Sequence, residues 1–152
     1  MGFLSNLKNK LTGGGAKVSL EIENPNRQNS FNVTVSASVA DSDMEIKKVY
    51  LFIKSVEKAT VRNVKVMRFD GSGTEEKDVT GEYEPVPQNE VVIAGAQTLK
   101  AGQQYKWTYE INMQGAQPTY NGVYAKHEWY FLAGIDAPGN DPDSGWLLVN
   151  LG

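Results

Sequence analysis

Residues 104–113 alternate strictly. Tyr105, Trp107, Tyr109, Ile111 and Met113 fall on one parity, and Gln104, Lys106, Thr108 and Glu110 on the other. A period of two is the signature of a strand with one dry and one wet face, and a helix cannot sort these residues that way. The pattern recurs. Val18, Leu20 and Ile22 alternate with Lys17, Ser19, Glu21 and Glu23, and Phe31, Val33, Val35, Ala37 and Val39 alternate with Asn32, Thr34, Ser36 and Ser38. Turn signals separate such runs: Asn24-Pro25-Asn26, Asp41-Ser42-Asp43, Asp70-Gly71-Ser72-Gly73 and Pro118-Thr-Tyr-Asn-Gly122.

The remaining segments extend the pattern less cleanly. Glu45 to Lys58 carries Ile46, Val49, Leu51, Ile53 and Val56, with Tyr50 and Phe52 on the other parity. Either both faces are covered there or a bulge shifts the register. Val61 to Phe69 reads as another strand, followed by a hairpin turn at Asp70–Gly73. Thr74 to Gln88 contains Glu84-Pro85-Val86-Pro87, which predicts irregular structure or a short edge strand. Val91–Ala94, Gly122–Asp136 and Gly145–Leu151 complete a set of about nine strands with almost no helical pattern. Such a chain is all-β and reads as an antiparallel sandwich.

The N-terminus differs. Phe3, Leu4, Leu7 and Leu11 recur at helical spacing, with Ser5, Asn6, Lys8 and Lys10 between them, before Thr12-Gly13-Gly14-Gly15. The expectation is a short amphipathic helix and glycine joint over residues 1–14, then one sandwich over 15–152. Phe3, Leu4, Leu7, Lys8 and Leu11 would pack on the sandwich or touch a membrane surface or a partner.

Composition narrows the function. Net charge is −3, which disfavours a nucleic-acid binder relying on bulk electrostatics. There is no cysteine, so disulfides, thiolate catalysis and cysteine-based zinc sites are excluded. No apolar run approaches the ~18 residues of a membrane span. Nor do the first residues form a signal peptide, and a cytoplasmic location is the expectation.

The inventory for catalysis is thin. His127 is the single histidine, on the parity of Ala125, Trp129 and Phe131, and reads as structural. No Gly-x-Ser-x-Gly elbow and no phosphate-cradling glycine loop accompany it. Asp136, Asp141 and Asp143 are the candidate metal ligands, since Asp141-x-Asp143-x-Gly145 is similar to part of a calcium loop. The bidentate glutamate at the twelfth position is missing: Gly152 stands there, and a solvated turn is the favoured reading. The stripe Tyr105, Trp107, Tyr109 reads as core packing rather than a ligand platform.

Several motifs together carry a family likeness. Leu99-Lys-Ala-Gly102, the alternating strand ending near Ile111, Pro118-Thr-Tyr-Asn-Gly122, the aromatic strand through Trp129-Tyr130, and Ile135-Asp-Ala-Pro138 resemble the second half of an arrestin N-terminal domain. Phe3 to Leu11, Gly14-Gly15-Ala16-Lys17-Val18 and Glu45–Leu51 resemble the opening and third strand of bacterial sporulation-control arrestin-like proteins. The strand after Asn29-Ser30 lacks the Pro-Gly-acidic lead-in common in that family. The resemblance implies an immunoglobulin-like antiparallel sandwich of the arrestin N-domain type, in a single-domain version. It also implies a non-enzymatic scaffold or adaptor that binds a protein partner, with no cofactor and no nucleic acid. No functional residue is carried over. Exposed sandwich edges make self-association into a homo-oligomer a natural extension. The alternatives are peripheral membrane association through the N-terminal helix and, less favoured, calcium-dependent binding.

Overall fold

The computed structural model describes the backbone of residues 7–13 and 15–152 and the side chains of residues 15–152. The described residues form eleven strands and no helix. One sheet contains β1 (Leu7–Gly13), β2 (Ala16–Glu23), β3 (Phe31–Val39) and β8 (Gln104–Ile111), in the spatial order β1-β2-β3-β8. A second contains β5 (Lys48–Met67), β6 (Thr74–Ala94), β10 (Ala125–Asp136) and β11 (Leu147–Val149), in the order β11-β10-β5-β6. The short β9 (Tyr120–Asn121) pairs with β10, and β4 (Met44–Ile46) pairs with β7 (Gln97–Leu99). All these pairings are antiparallel.

The two sheets face each other as the alternation requires. Val18, Leu20 and Ile22 of β2 and Phe31, Val33, Val35 and Ala37 of β3 are buried against Val49 and Leu51 of β5 and Phe131, Ala133 and Ile135 of β10. Phe31 and Phe131 meet across the layers with ring centroids 6.4 Å apart. Each of the larger of these side chains, valine and upward, contributes roughly 1.5–3 kcal/mol of burial free energy. Leu99 ends β7, and Lys100–Gly102 turn the chain into β8. Gly102 takes φ +74° and donates its N–H to the carbonyls of Val39 and Ala40. Asp43 accepts from the Ala101 N–H and from Lys100, which hold its carboxyl below the usual range.

Three expectations need correction. First, Leu7, Lys8 and Leu11 lie in a strand, not a helix, with β1 paired to β2 from Leu7↔Ile22 to Gly13↔Ala16. Phe3 and Leu4 lie outside the described residues. An isolated helix this short is marginal in water, whereas pairing satisfies backbone groups along the edge of β2. Second, the separate strands expected over 45–69 merge into one 20-residue β5 from Lys48 to Met67. Register shifts at Val49/Tyr50, Ile53/Ser55, Ser55/Glu57 and Val61/Val64 absorb the out-of-phase residues. Third, Thr74–Gln88 belongs to a 21-residue β6. It is an edge strand, where Pro85 and Pro87 need not donate to a neighbour, and the Val86 N–H between them reaches Ser55 Oγ at 3.2 Å.

Tyr50 explains one glycine. Its ring lies over Gly134 in the neighbouring β10, where a Cβ would overlap the ring. Gly134→Ala should therefore lower stability by about 1–3 kcal/mol. Thermal melts would show that loss shrinking in a Tyr50→Leu background, because the two sites share one contact. An equal loss in both backgrounds would mean the clash is not with Tyr50.

Candidate functional site

The ladder between β5 and β10 runs from Lys48↔Asp136 to Ala59↔Ala125 and stops. The Thr60 N–H still reaches the Tyr124 carbonyl at 2.7 Å. Beyond it β5 continues to Met67 with, among the described residues, only β6 beside it, a two-stranded ribbon of about 25 Å at ~3.3 Å per residue. Such ribbons are marginal on their own. Local bonds brace this one: Thr60 Oγ1 to Thr80 Oγ1 at 2.7 Å, and the N–H of Asn63, at φ +54°, to Asp78 Oδ1 at 3.2 Å. At the tip, Asp70 accepts from the Ser72 N–H at 2.9 Å, and Ser72 holds the Asp70 carboxyl below its usual range.

Register places side chains on faces. Glu57↔Tyr83, Ala59↔Gly81 and Val61↔Val79 continue the face on which His127 and Trp129 of β10 are buried. Here none of the described residues of the first sheet covers it. Val61 is 62% exposed and Tyr83 56%, and Val79 and Tyr120 are exposed beside them. Tyr83 donates to Glu57 Oε1 at 2.9 Å, which pushes its phenol up. Arg62 lies 4.5 Å over the Tyr124 ring. Met67, 78% exposed, and the fully exposed Phe69 flank Arg68 at the tip. The result is a protruding, partly apolar hairpin that periodicity alone could not reveal, because the sequence does not say where the opposite sheet ends.

His127 anchors the base of this face. It is buried, its Nδ1 lies 3.0 Å from the Pro118 carbonyl, and its ring stacks on Tyr120 and meets the edge of Trp129. A carbonyl only accepts, so Nδ1 carries the proton. Trp129 Nε1 donates to the Gln117 carbonyl at 2.8 Å. Together they clamp the Pro118 turn onto β10.

The aromatic stripe of β8 lies at a margin, not in the centre. Tyr105 and Trp107 are half-buried and stacked at 6.0 Å, and Tyr109 is 37% exposed. β8 ends its sheet, and the facing edge strand β6 covers it only in part. An open groove remains between them, lined by Ile53, Val86, Val91, Tyr109, Met113 and Trp129.

The acidic segment folds back along β10. Ile135 donates to the Pro142 carbonyl, Ser144 to the Ala133 carbonyl, and Gly134 bridges Asp143. Asp141 Oδ2 accepts the Tyr50 hydroxyl at 3.2 Å and its Oδ1 the Ala137 N–H at 3.2 Å. Asp143 Oδ1 accepts the Gly145 N–H at 2.8 Å. Asp136 contributes through its backbone carbonyl, which takes the Lys47 N–H. Asp141 and Asp143 are thus occupied as turn braces, and among the described residues no three His, Asp or Glu side chains converge to hold a metal ion. Among the described residues no helix is long and apolar enough to cross a membrane.

Two facing antiparallel sheets, with these turns and a long β5–β6 hairpin, make an antiparallel β-sandwich of the kind that the arrestin-like resemblance implies. A solved structure with this fold is that of Spo0M, a sporulation control protein from Bacillus subtilis. It superposes with a TM-score of 0.60 over 91% of this chain at 14% identity. The match spans 50% of the Spo0M chain, so this sequence corresponds to half of that protein's length. No protein-family model and no curated protein matches the sequence. At that identity the likeness establishes the fold.

Two measurements test the Tyr50 brace. Burial first, then the Asp141 charge, raises the Tyr50 phenol well above the ordinary tyrosine value. The native state then keeps a proton that the unfolded chain releases, so stability is full below about pH 10 and falls as pH rises above it. Alkaline melts should show this decline, and Tyr50→Phe should make it shallower. Millimolar calcium should leave the melting temperature unchanged, because a cation would have to displace the Tyr50 and Ala137 donors from Asp141. A rise of several degrees would make the acidic segment a cation site.

Proposed function

We propose that this chain is a non-enzymatic interaction module, an adaptor or scaffold that docks a protein partner on the overhanging face of the β5–β6 hairpin. The observation that carries the reading is the exposure of Val61, Val79 and Tyr83 on a face that is core lower down. Contiguous apolar surface outside a core marks interaction sites in soluble domains. Tyrosine supplies much contact area at low entropic cost, as interface centres favour. Spo0M is a sporulation control protein, which agrees with a regulatory role of this kind. The thin catalytic inventory of the sequence points the same way. For peripheral membrane association, the helical premise does not hold over Leu7–Leu11, which is strand.

The test is a comparison of three versions of this chain, the parent and two variants, on affinity resin in lysate of the native host. Val61→Glu and Tyr83→Ser are surface changes and should alter stability by no more than about 1 kcal/mol. Each should lose a partner that the parent protein retains. Partners retained equally by all three would remove the hairpin face from the interaction.

A further inference from the structure

The first sheet ends at β8, and among the described residues no strand pairs with its second edge. Val39 of β3 donates to the Gln103 carbonyl and accepts from the Gly102 N–H, so its backbone groups point toward β8. Backbone direction alternates along an antiparallel strand. Val33, Val35 and Ala37 therefore also bond toward β8, to their register partners Tyr109, Trp107 and Tyr105. The N–H and C=O groups of Gln104, Lys106, Thr108 and Glu110 are left pointing at the open edge.

Edges of this kind are usually blunted by proline, bulges or cover. β6, the edge of the other sheet, carries Pro85, Pro87 and several register shifts. β8 has none of these: it pairs with β3 in unbroken register over eight residues and contains no proline.

We propose that β8 pairs antiparallel with β8 of a second copy, about a two-fold axis at Thr108. The occupant is named by the sequence of the strand, Tyr105-Lys106-Trp107-Thr108-Tyr109-Glu110-Ile111, which is complementary to its own reverse. With Thr108 opposite Thr108 of the second copy, each Lys106 faces a Glu110, each Trp107 a Tyr109, and each Tyr105 an Ile111. Opposite charges, aromatic pairs and Thr–Thr contacts are the pairs that stabilise antiparallel neighbours.

The alternatives are poorer. Moving the axis to Lys106 or to Glu110 sets like charges against each other. Placing it at Trp107 or Tyr109 leaves Lys106 and Glu110 opposite neutral residues. A one-residue slip sets open-edge backbone groups against groups already bonded to β3. Lys106, Thr108 and Glu110 are exposed, and neither Lys106 nor Glu110 takes part in an ion pair among the described residues. Trp107, already stacked on Tyr105, gains a second aromatic neighbour, and Tyr109, exposed at the margin, gains one. The pairing is two-fold and closed, so it stops at a dimer. The inference rests on the interaction-module reading and names a second copy as one partner, on a surface distinct from the hairpin.

The experiment is analytical ultracentrifugation of the full chain over a wide concentration range. The parent protein should dimerise. Lys106→Glu and Glu110→Lys should each weaken the dimer about tenfold or more, because both symmetric pairs become repulsive. Mixing the two single variants should restore a dimer containing one of each, since one carries two acidic and the other two basic side chains at these positions. The double variant should dimerise like the parent. The chain has no cysteine, so Thr108→Cys should give a covalent dimer on mild oxidation, while Ser38→Cys in β3 should not. A parent protein that stays monomeric throughout overturns the pairing, and the hairpin variants still test the adaptor reading separately. A dimer unaffected by either charge reversal, or single variants that fail to combine, also overturns it.

Discussion

Pairing of β5 with β10 is the constraint on which the rest of the molecule depends. Its ladder sets Val49, Leu51 and Ile53 beside Ile135, Ala133 and Phe131 and presents them as one dry surface to the first sheet. It brings Tyr50 over Gly134, and so positions Asp141 to tie the acidic segment down. It also defines the overhang. β5 is long and β10 stops at Ala125, so the upper part of the hairpin leaves the sandwich with one strand for company. Core and candidate surface are therefore one strand, divided by where its neighbour ends.

The margins of the sandwich differ in chemistry. On β6, prolines and register shifts disrupt the edge, and Lys48–Glu90, Lys54–Glu84 and Lys58–Glu82 pairs run along its junction with β5. At such exposure water and salt screen each pair, so the row orders side chains and keeps the face soluble more than it stabilises the fold. On β8 the edge is regular, its charges are spaced so that two copies match, and aromatic side chains lie half-covered along it. One edge is built against pairing and the other is compatible with it.

Much of the fold was legible wherever one face of a strand is dry. Val18, Leu20, Ile22 and the odd residues from Phe31 to Val39 alternate in sequence and are buried as that alternation requires. Legibility failed where burial stops tracking position. Val61 and Val79 are as apolar as core residues, but no opposite layer reaches them. Tyr109 shares the parity of buried Ile111 and is exposed because its strand is an edge. Strand length was hidden because bulges break the period without ending the strand. At Leu7–Leu11 local spacing favoured a helix and the open edge of β2 favoured a strand, a contest settled by tertiary pairing. The sequence reads His127 as structural and the acidic segment as a solvated turn; in the structure His127 meets the Pro118 carbonyl, and the carboxylates of Asp141 and Asp143 accept backbone N–H groups.

The central claim is that the unpaired margins of this sandwich are the parts it works with. Residue-resolved amide hydrogen exchange of the full chain, repeated as concentration is raised, tests it most directly. In dilute solution the amides of Lys106, Thr108 and Glu110 should exchange fast and those of Trp107 and Tyr109, bonded to β3, slowly. At high concentration the first three should become protected together while the ribbon tip at Met67–Phe69 stays fast. Amides of Lys106, Thr108 and Glu110 that exchange at the same rate at every concentration would contradict the account.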